Sequence, residues 1–311
     1  MRVKVLGSAA GGGFPQWNCA CSNCSRLRKG VLKGRPRTQA QVAVSPDRSS
    51  WFLLNASPDL RQQLCENSEF APAGSAARGT PITAIFLTSA DVDSVLGLLH
   101  LREFQPLHIY STLSVRRTLT EENSLFRTLM RSNPPVRWEV LSLDRLVPLV
   151  SQAQSGAKEN LFCKAVPLGG SFPDYVSETL RKSLPEDEAV IGLQFMQRDK
   201  RFLYAPSLPG HGEEWKRRFG ESQLALLDGT FWADDELIKI QCGTATARQM
   251  GHLPLFGPSG LIQQLQFIRN VRRVLIHINN TNPILDEESP QHRAALEAGF
   301  EIAYDGMELE P

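Results

Sequence analysis

Short apolar runs alternate along the chain with polar segments that contain glycine and proline, and this spacing predicts a series of strands. The runs 189–196 and 201–205 are expected to form an antiparallel pair, because only a few polar residues separate them. The complete set of predicted strands is 2–7, 39–45, 51–55, 82–88, 107–111, 162–166, 189–196, 201–205, 223–227, 272–278 and 300–304.

Helices are predicted between many of these strands. One is expected to open at Ser57 and Pro58, with Ser57 as the N-cap and Pro58 in the first helical position. The other predicted helices are 92–104, 112–121, 260–269 and 290–298. Polar loops are expected at 68–80 and 150–160. Strands and helices alternate without an internal repeat or an obvious linker, which predicts one α/β domain over residues 1–311.

Composition narrows the possible functions. The 34 lysines and arginines balance 33 aspartates and glutamates, which argues against nucleic acid and against a polybasic membrane anchor as partners. No apolar run approaches the roughly 20 residues of a membrane-spanning helix. Lys4 and Gly11–Gly13 interrupt the apolar N-terminus, so a strand and a loop are predicted there in place of a secretory signal. The expected location is therefore the cytoplasm.

Three of the six cysteines lie close together in a glycine-rich loop at about 7–25. The spacing Cys19-x-Cys21-x-x-Cys24 suits a structural zinc ion, because thiolates are its preferred soft ligands. A chance cluster of free thiols and a redox or iron–sulfur role remain alternatives. A fourth ligand is not evident nearby and would be a remote histidine, aspartate or asparagine. The other cysteines, which are expected to be ordinary packing residues, are Cys65, Cys163 and Cys242.

The segment IFLTSADVDSVLGL places polar side chains at a turn between a strand and a helix. Ser89, Asp91, Asp93 and Ser94 project from this turn, where catalytic groups of α/β proteins often gather. Both aspartates also precede or begin the predicted helix, where the helix dipole favours a carboxylate. Taken alone, the segment fits simple N-capping at least as well as catalysis.

This turn resembles the metal-binding turn of the metallo-β-lactamase superfamily, His-x-His-x-Asp-His after a hydrophobic strand ending in threonine. Of that motif only Asp93 is retained, and serine or aspartate replaces each histidine. In the superfamily's order, Asp228 is similar to the metal-bridging aspartate and His277 to the last histidine. Where a further histidine is usual, the chain has 167–170 (PLGG). The resemblance implies an αβ/βα four-layer sandwich with two central mixed sheets.

The chain also resembles the PqqB family of pyrroloquinoline quinone (PQQ) biosynthesis, as a divergent member or a paralogue. One departure is Ser94, where the family usually has histidine. The cysteine loop is similar to that of a related phosphodiesterase of phosphonate breakdown, in which it holds a structural zinc. The offset of that enzyme's fourth ligand falls on Asn280 here. The stretches that carry the family resemblance are 5–24 (VLGSAAGGGFPQWNCACSNC), 55–64, 97–103, 227–236 (LDGTFWADDE), 250–254 (MGHLP) and 274–290 (VLIHINNTNPILDEESP).

The resemblance implies two metal sites. The expected ligands of the structural zinc are Cys19, Cys21, Cys24 and Asn280, and those of an active-site Fe(II) or another divalent metal are Asp93, Asp228, His252 and His277. His252, Asp91 and Ser89 are the expected catalytic residues. The histidines that are not expected at a site are His100, His108, His211 and His292.

Three functions follow from the resemblance. The first is iron-dependent hydroxylation of a tyrosine-derived precursor in quinone biosynthesis, with basic side chains binding the substrate's carboxylates. The second is a non-catalytic carrier for the quinone or its precursor. The third is a metal-dependent hydrolase, although the missing histidines argue against a full two-metal site. Other proteins of the pathway and a second copy of the chain, in a homodimer, are the candidate protein partners.

Overall fold

The computed structural model describes residues 1–72, 77–103, 107–131, 136–149, 161–210 and 213–311. The loop predicted at 150–160 and the predicted solvent-facing His211 lie outside these ranges, as does part of the loop predicted at 68–80.

Two seven-stranded mixed sheets form the centre of the described structure. The first sheet has the order β14-β1-β2-β3-β4-β5-β6. Its members are β1 (Arg2–Gly7), β2 (Gln41–Ser45), β3 (Trp51–Leu54), β4 (Ile82–Phe86), β5 (His108–Ser111), β6 (Arg137–Val140) and β14 (Glu308–Leu309). Strands β3 to β6 run parallel to one another, whereas β14, β1, β2 and β3 pair antiparallel. The carboxyl ends of the parallel strands therefore meet at one edge.

The second sheet has the order β13-β12-β11-β10-β9-β8-β7. Its members are β7 (Leu146–Leu149), β8 (Leu161–Pro167), β9 (Ile191–Gln197), β10 (Lys200–Ala205), β11 (Leu224–Asp228), β12 (Arg272–Ile276) and β13 (Phe300–Ile302). Strands β10 to β13 are parallel, and β7 to β10 are antiparallel. The predicted antiparallel pair is confirmed, with Phe195 opposite Phe202.

Helices cover the outer faces of both sheets, so the predicted four-layer α/β fold is confirmed. The α-helices are α1 (Ser22–Arg28), α2 (Leu60–Glu66), α3 (Val92–Val95), α4 (Leu113–Arg117), α5 (Glu178–Arg181), α6 (Glu214–Gly220), α7 (Glu236–Lys239), α8 (Leu261–Leu265) and α9 (Pro290–Glu297). Short 3₁₀ and π segments are Ser68–Phe70, Leu96–Leu101, Thr118–Glu122, Ser124–Arg131, Glu186–Glu188 and Pro283–Leu285. Among the described residues, none of the helices has the length and apolar character that crossing a membrane requires.

Aromatic side chains fill the space between the two sheets. Phe86 of the first sheet stacks on Tyr110 with ring centroids 4.6 Å apart, and its ring meets Phe195 of the second sheet edge-on at 5.5 Å. Phe195 in turn stacks on Phe202. Separate apolar clusters lie under the helices on the outer face of each sheet. Burial on both faces explains why most central strands are nearly continuous apolar runs.

Four of the five predicted helices differ from the observed ones. The helix predicted at 112–121 is α-helical only over Leu113–Arg117, and the one predicted at 260–269 only over Leu261–Leu265. The helix expected after Ser57 begins at Leu60, because the Ser57 hydroxyl donates to Gln63 Oε1 (2.9 Å) and does not cap the helix. The helix predicted at 92–104 is α-helical only as far as Val95 and continues as a 3₁₀ segment to Leu101. A Cβ on Gly97 would lie 2.2 Å from the Ser57 carbonyl oxygen, so this turn packs too closely for any other residue.

Candidate metal sites

A cavity of about 650 Å³ opens where strands of both sheets end. The turn after β4 contributes Asp91 and Asp93 to its wall, and the residue after β12 contributes His277. His252 completes this group from the loop that precedes α8. Ser89 also lines the cavity, so the structure gathers five of the predicted site residues around it.

Asp93 and His277 are in direct contact at the cavity floor, with Asp93 Oδ2 3.0 Å from His277 Nε2. Burial alone would raise the pKa of Asp93, but the hydrogen bond with His277 and the charges of both imidazoles outweigh it and lower that pKa. Burial likewise opposes the charged form of His277, yet Asp93 and the neighbouring carboxylates raise the imidazole pKa. Without a cation, the pair therefore favours the ionised carboxylate and the protonated imidazole.

His277 is held in an uncommon backbone conformation. Its φ of 59° lies in the left-handed region, which costs a non-glycine residue on the order of 1 kcal/mol. The turn directs the imidazole into the cavity immediately after β12. Asn55, which also lines the cavity, has a φ of 66°, and its Oδ1 accepts hydrogen bonds from the backbone and hydroxyl of Thr88. Strained backbone of this kind is concentrated at functional sites.

Asp228 ends β11 and is fully buried behind His252. Its Oδ2 accepts hydrogen bonds from His252 Nδ1 (2.8 Å) and from the Leu208 amide (2.8 Å). Its Oδ1 accepts from the amide (3.0 Å) and the hydroxyl (2.6 Å) of Thr230. Burial would raise the pKa of Asp228, but the His252 charge and hydrogen bond and the His277 charge lower it, so the carboxylate is ionised.

Thr230 is not among the residues that the sequence predicts at the site, although it lies within the family-like stretch LDGTFWADDE. Its hydroxyl lies 2.9 Å from His277 Nδ1 and 3.2 Å from His252 Nδ1. The two imidazole rings stack with centroids 5.3 Å apart. One atom of each of Asp228, His252 and His277 lies within 4.8 Å of the others, a spacing compatible with a shared cation.

Asp91 and Ser89 form a second pair on the cavity wall. The Ser89 hydroxyl donates to Asp91 Oδ2 (2.7 Å), and burial followed by the charge of Asp93 raises the pKa of Asp91. Asp91 is the N-cap of α3 by position, but its side chain makes no capping hydrogen bond. The simple capping interpretation of this turn therefore does not describe Asp91. Ser94 is buried at the cavity, where it is shorter than the imidazole expected from the family.

The cysteine cluster fits a tetrahedral soft cation. One Sγ from each of Cys19, Cys21 and Cys24 lies within 4.8 Å of the others. The Asn280 Nδ2 atom lies 3.1, 3.6 and 3.3 Å from these sulfur atoms, so its amide occupies the fourth corner. Rotating the amide by half a turn would present its oxygen to the same centre. Burial and the neighbouring thiols raise the pKa of Cys21 to about 12, so an ionised thiolate at this position needs a compensating cation.

A short turn joins the two sites. It runs from His277 to Asn282, and Asn23 of α1 fixes it by donating to the carbonyl oxygens of Asn280 (3.2 Å) and Asn282 (2.9 Å). The glycine-rich loop pairs with the same turn through Ile278, which bonds to the backbones of Ser8 and Ala10. The loop therefore contacts the turn that carries residues of both sites.

Several expectations about other residues are corrected. Cys65 and Cys242 are exposed, so of the three cysteines predicted to pack only Cys163 is buried. Cys65 lies on the outer side of α2, away from the buried Leu60. No lysine or arginine lines the cavity within the described residues, whereas basic side chains were expected to bind the substrate.

The remaining described histidines lie away from the cavity. His100 is exposed, and His292 Nδ1 lies 2.7 Å from the Ile284 carbonyl oxygen, in α9. His108 is half-buried at the start of β5. None of the three lines the cavity as the structure describes it, in agreement with the prediction.

Comparisons with known proteins identify the family. A β-lactamase superfamily domain profile matches residues 50–278. The chain is 44% identical over 314 residues to the coenzyme PQQ synthesis protein B of Azoarcus sp. (strain BH72), covering 99% of each chain. It is 40% identical to the protein of that name from Pseudomonas putida (strain KT2440), covering 100% of both.

Solved structures agree with the sequence matches. The 1.98 Å crystal structure of Zn²⁺-bound PqqB from Methylobacterium extorquens is 37% identical and superimposes with a TM-score of 0.90, with full coverage of both chains. A diphosphatase of the PhnP family, 17% identical with a TM-score of 0.64 over 100% of this chain and 97% of its own, shares the fold. The chain therefore belongs to the coenzyme PQQ synthesis protein B family, within the β-lactamase superfamily.

Proposed function

We propose that this member of the PQQ biosynthesis family hydroxylates a tyrosine-derived precursor of the quinone in a metal-dependent reaction. One observation carries the proposal: Asp93 and His277 contact each other at 3.0 Å on the floor of a cavity that His252 also lines. Imidazole and carboxylate ligands with open positions are the donor set of non-haem iron oxygenases. When bound there, iron(II) would supply the activation of oxygen.

The residues present fit such a cation. Asp93, His252 and His277 are the groups we expect to hold it, with the buried Asp228 beside them. Asp91, hydrogen-bonded to Ser89, is the group we assign to proton transfer at the cavity wall. Phe172 and Tyr175 also line the cavity and offer aromatic surface to a phenolic ring.

We assign the structural zinc to Cys19, Cys21, Cys24 and Asn280. The Zn²⁺-bound relative and the four-cornered arrangement of this cluster support the assignment. We further expect both sites to belong to one domain over residues 1–311, in a cytoplasmic protein whose candidate partners are other proteins of the pathway and a second copy of the chain.

The hydrolase alternative is weaker for a chemical reason. Ser89 and Ser94 replace two histidines of the superfamily turn, and a serine hydroxyl is a poor ligand for a second divalent ion. The carrier alternative requires the protein to bind the precursor tightly and to release it chemically unchanged. Both alternatives are outcomes of the same experiment.

The test begins with purified protein that is reconstituted with iron(II) under anaerobic conditions. The precursor and ¹⁸O-labelled oxygen are then added, and the product is analysed by mass spectrometry. We expect ¹⁸O in the product, and we expect Asp93→Asn to abolish this incorporation. Hydrolytic cleavage with zinc or manganese, or recovery of unchanged precursor from a tight complex, would overturn the proposal in favour of one of the alternatives.

A further inference from the structure

We propose that Asp228 and Thr230 act as positioning residues that hold His252 and His277 in place, and that Thr230 selects which nitrogen of His277 faces Asp93. We call the two residues the Asp228–Thr230 bracket. The inference rests on the proposed function, because it assumes that a cation binds at Asp93 and the two imidazoles. It assigns Asp228 a role through His252, in place of the metal-bridging role that the superfamily resemblance implies.

The first argument is that the Asp228 carboxylate is already saturated. Two donors approach each oxygen, namely His252 Nδ1 and the Leu208 amide at Oδ2, and the amide and hydroxyl of Thr230 at Oδ1. A carboxylate offers about four lone-pair positions, so these four donors use all of them. The side chain is also fully buried, which leaves it no face toward the cavity.

The second argument follows the protons around the Thr230 hydroxyl, which has one proton to donate and two lone pairs. Asp228 Oδ1 is its closest acceptor at 2.6 Å and carries a negative charge, so the hydroxyl donates there. His252 Nδ1 lies closer to Asp228 Oδ2 (2.8 Å) than to the hydroxyl (3.2 Å), so its proton goes to the carboxylate. The hydroxyl is therefore free to accept from His277 Nδ1 at 2.9 Å.

These hydrogen bonds orient both imidazoles with Nδ1 toward the Asp228–Thr230 bracket. With a cation in the cavity, this hydrogen bond would keep the His277 proton on Nδ1 and leave Nε2, on the side of Asp93, as the nitrogen that faces the cation. His252 also donates from Nδ1, and no described residue forms a hydrogen bond with its Nε2. A metal-binding histidine normally donates its second N–H to a carboxylate or a backbone oxygen, which sets the tautomer and the ring orientation. Here a threonine hydroxyl takes that position for His277.

The experiment compares Thr230→Val, which removes the hydroxyl at nearly constant shape, with Thr230→Ser, which retains it. The cysteine site is first filled with zinc, and cobalt(II) is then titrated into the cavity site by calorimetry. We expect Thr230→Val to weaken cobalt binding by about 10- to 100-fold, the usual effect of losing such a partner. Thr230→Ser should restore most of the affinity.

A second readout does not depend on affinity. The protein is labelled with ¹⁵N-histidine, and zinc is added to both the cysteine site and the cavity site. Long-range ¹H–¹⁵N spectra then report which ring nitrogen carries the proton. We expect the Nδ1–H signature of His277 in the wild type and in Thr230→Ser, and its loss in Thr230→Val. Asp228→Asn should disturb the corresponding signal of His252.

The outcomes separate this inference from the proposed function. If the wild type does not bind cobalt in the cavity, or if Asp93→Ala binds cobalt as well as the wild type does, the proposed metal site itself is wrong. If the wild type binds cobalt but Thr230→Val matches it in both affinity and ¹⁵N signature, the bracket is wrong and the metal site stands. Thr230→Val is judged to be folded if it binds a full equivalent of zinc at the cysteines and its melting curve is unchanged. If this variant does not fold, the spectra of Thr230→Ser and Asp228→Asn test the inference instead.

Discussion

Asp93 Oδ2 lies 3.0 Å from His277 Nε2, although 184 positions separate the two residues in the chain. Asp93 follows β4 of the first sheet, and His277 follows β12 of the second. Their contact therefore depends on the packing of the two sheets against each other. A cation that binds both side chains would draw on ligands from both halves of the fold.

Substitution of Asp93 by asparagine should abolish metal binding in the cavity. The amide keeps the shape but loses the charge that pairs with His277, so we expect metal affinity and turnover to fall by about 100-fold or more. Metal analysis after equilibrium dialysis gives the measurement, and the zinc content of the cysteine site should not change. Asp174→Asn is the matched control, since Asp174 is an exposed residue of the same cavity. Equal losses in both variants would contradict a specific role for Asp93.

Substitution of Cys21 by serine should remove the structural zinc. With one of three thiolates gone, we expect a full equivalent of zinc to be lost and the free energy of unfolding to fall by about 3 kcal/mol or more, since structural metal binding contributes directly to folding. Zinc analysis and urea unfolding measure the two effects. Cys65→Ser replaces an exposed cysteine outside the cluster and should behave like the wild type. A zinc-replete Cys21→Ser protein would rule out the assignment.

Glu236 predicts a pH dependence of stability. Burial raises the pKa of this carboxyl from 4.5 to about 7, despite hydrogen bonds from Thr281 and the Trp232 amide. The folded state thus binds this proton more tightly than the unfolded state, so stability is greatest below the ordinary pKa and falls as pH rises through about 7. The pKa difference corresponds to at most about 3 kcal/mol.

The neutral variant Glu236→Gln should remove this dependence. We expect it to match the wild type at pH 5 and to exceed it in free energy of unfolding at pH 8, as measured by urea titration at both values. Glu66→Gln, at an exposed position of α2, should show no such difference. A stability difference between wild type and Glu236→Gln that is the same at both pH values would refute the role of Glu236.

Phe86 should be one of the costliest side chains to truncate. It is fully buried and contacts Tyr110 in its own sheet and Phe195 in the other sheet. We expect Phe86→Ala to lower the free energy of unfolding by about 3–5 kcal/mol, because it leaves a cavity between the sheets. Phe267→Ala makes the same change at a side chain that is 86% exposed, and it should cost less than about 0.5 kcal/mol. Similar losses for the two variants would contradict this packing argument.

Most central strands could be predicted from the sequence, because a strand buried on both faces is a short apolar run between polar turns. Three of the four edge strands could not, whereas β13 is an edge strand that the sequence predicts, at 300–304. Strand β6 is largely exposed and β14 has only two residues, so neither carries a clear apolar pattern. The 3₁₀ segment after Val95 also escaped prediction, because the close approach of Gly97 to the Ser57 carbonyl depends on tertiary packing.

The sequence could predict those residues of the candidate site whose type is typical of metal binding. Clustered thiols and histidines are rare enough to be noticed, and the family resemblance located Asn280 by its offset from His277. Thr230 could not be found in this way, because a threonine after a strand is common and the polar contacts of its hydroxyl appear only in three dimensions. The same holds for the exposure of Cys242, which the sequence predicts to be a packing residue.

The turn from His277 to Asn282 has a thermodynamic consequence. One end contributes an imidazole to the cavity and, three residues later, Asn280 meets the cysteine sulfurs, while Asn23 donates to the carbonyl oxygens of Asn280 and Asn282. An ion at either end favours the same backbone arrangement and so lowers the cost of ordering the turn for the other. If both proposed sites bind a cation, we expect their affinities to be linked, and linkage is reciprocal: whatever factor zinc adds to cation binding in the cavity, the cavity cation returns to zinc.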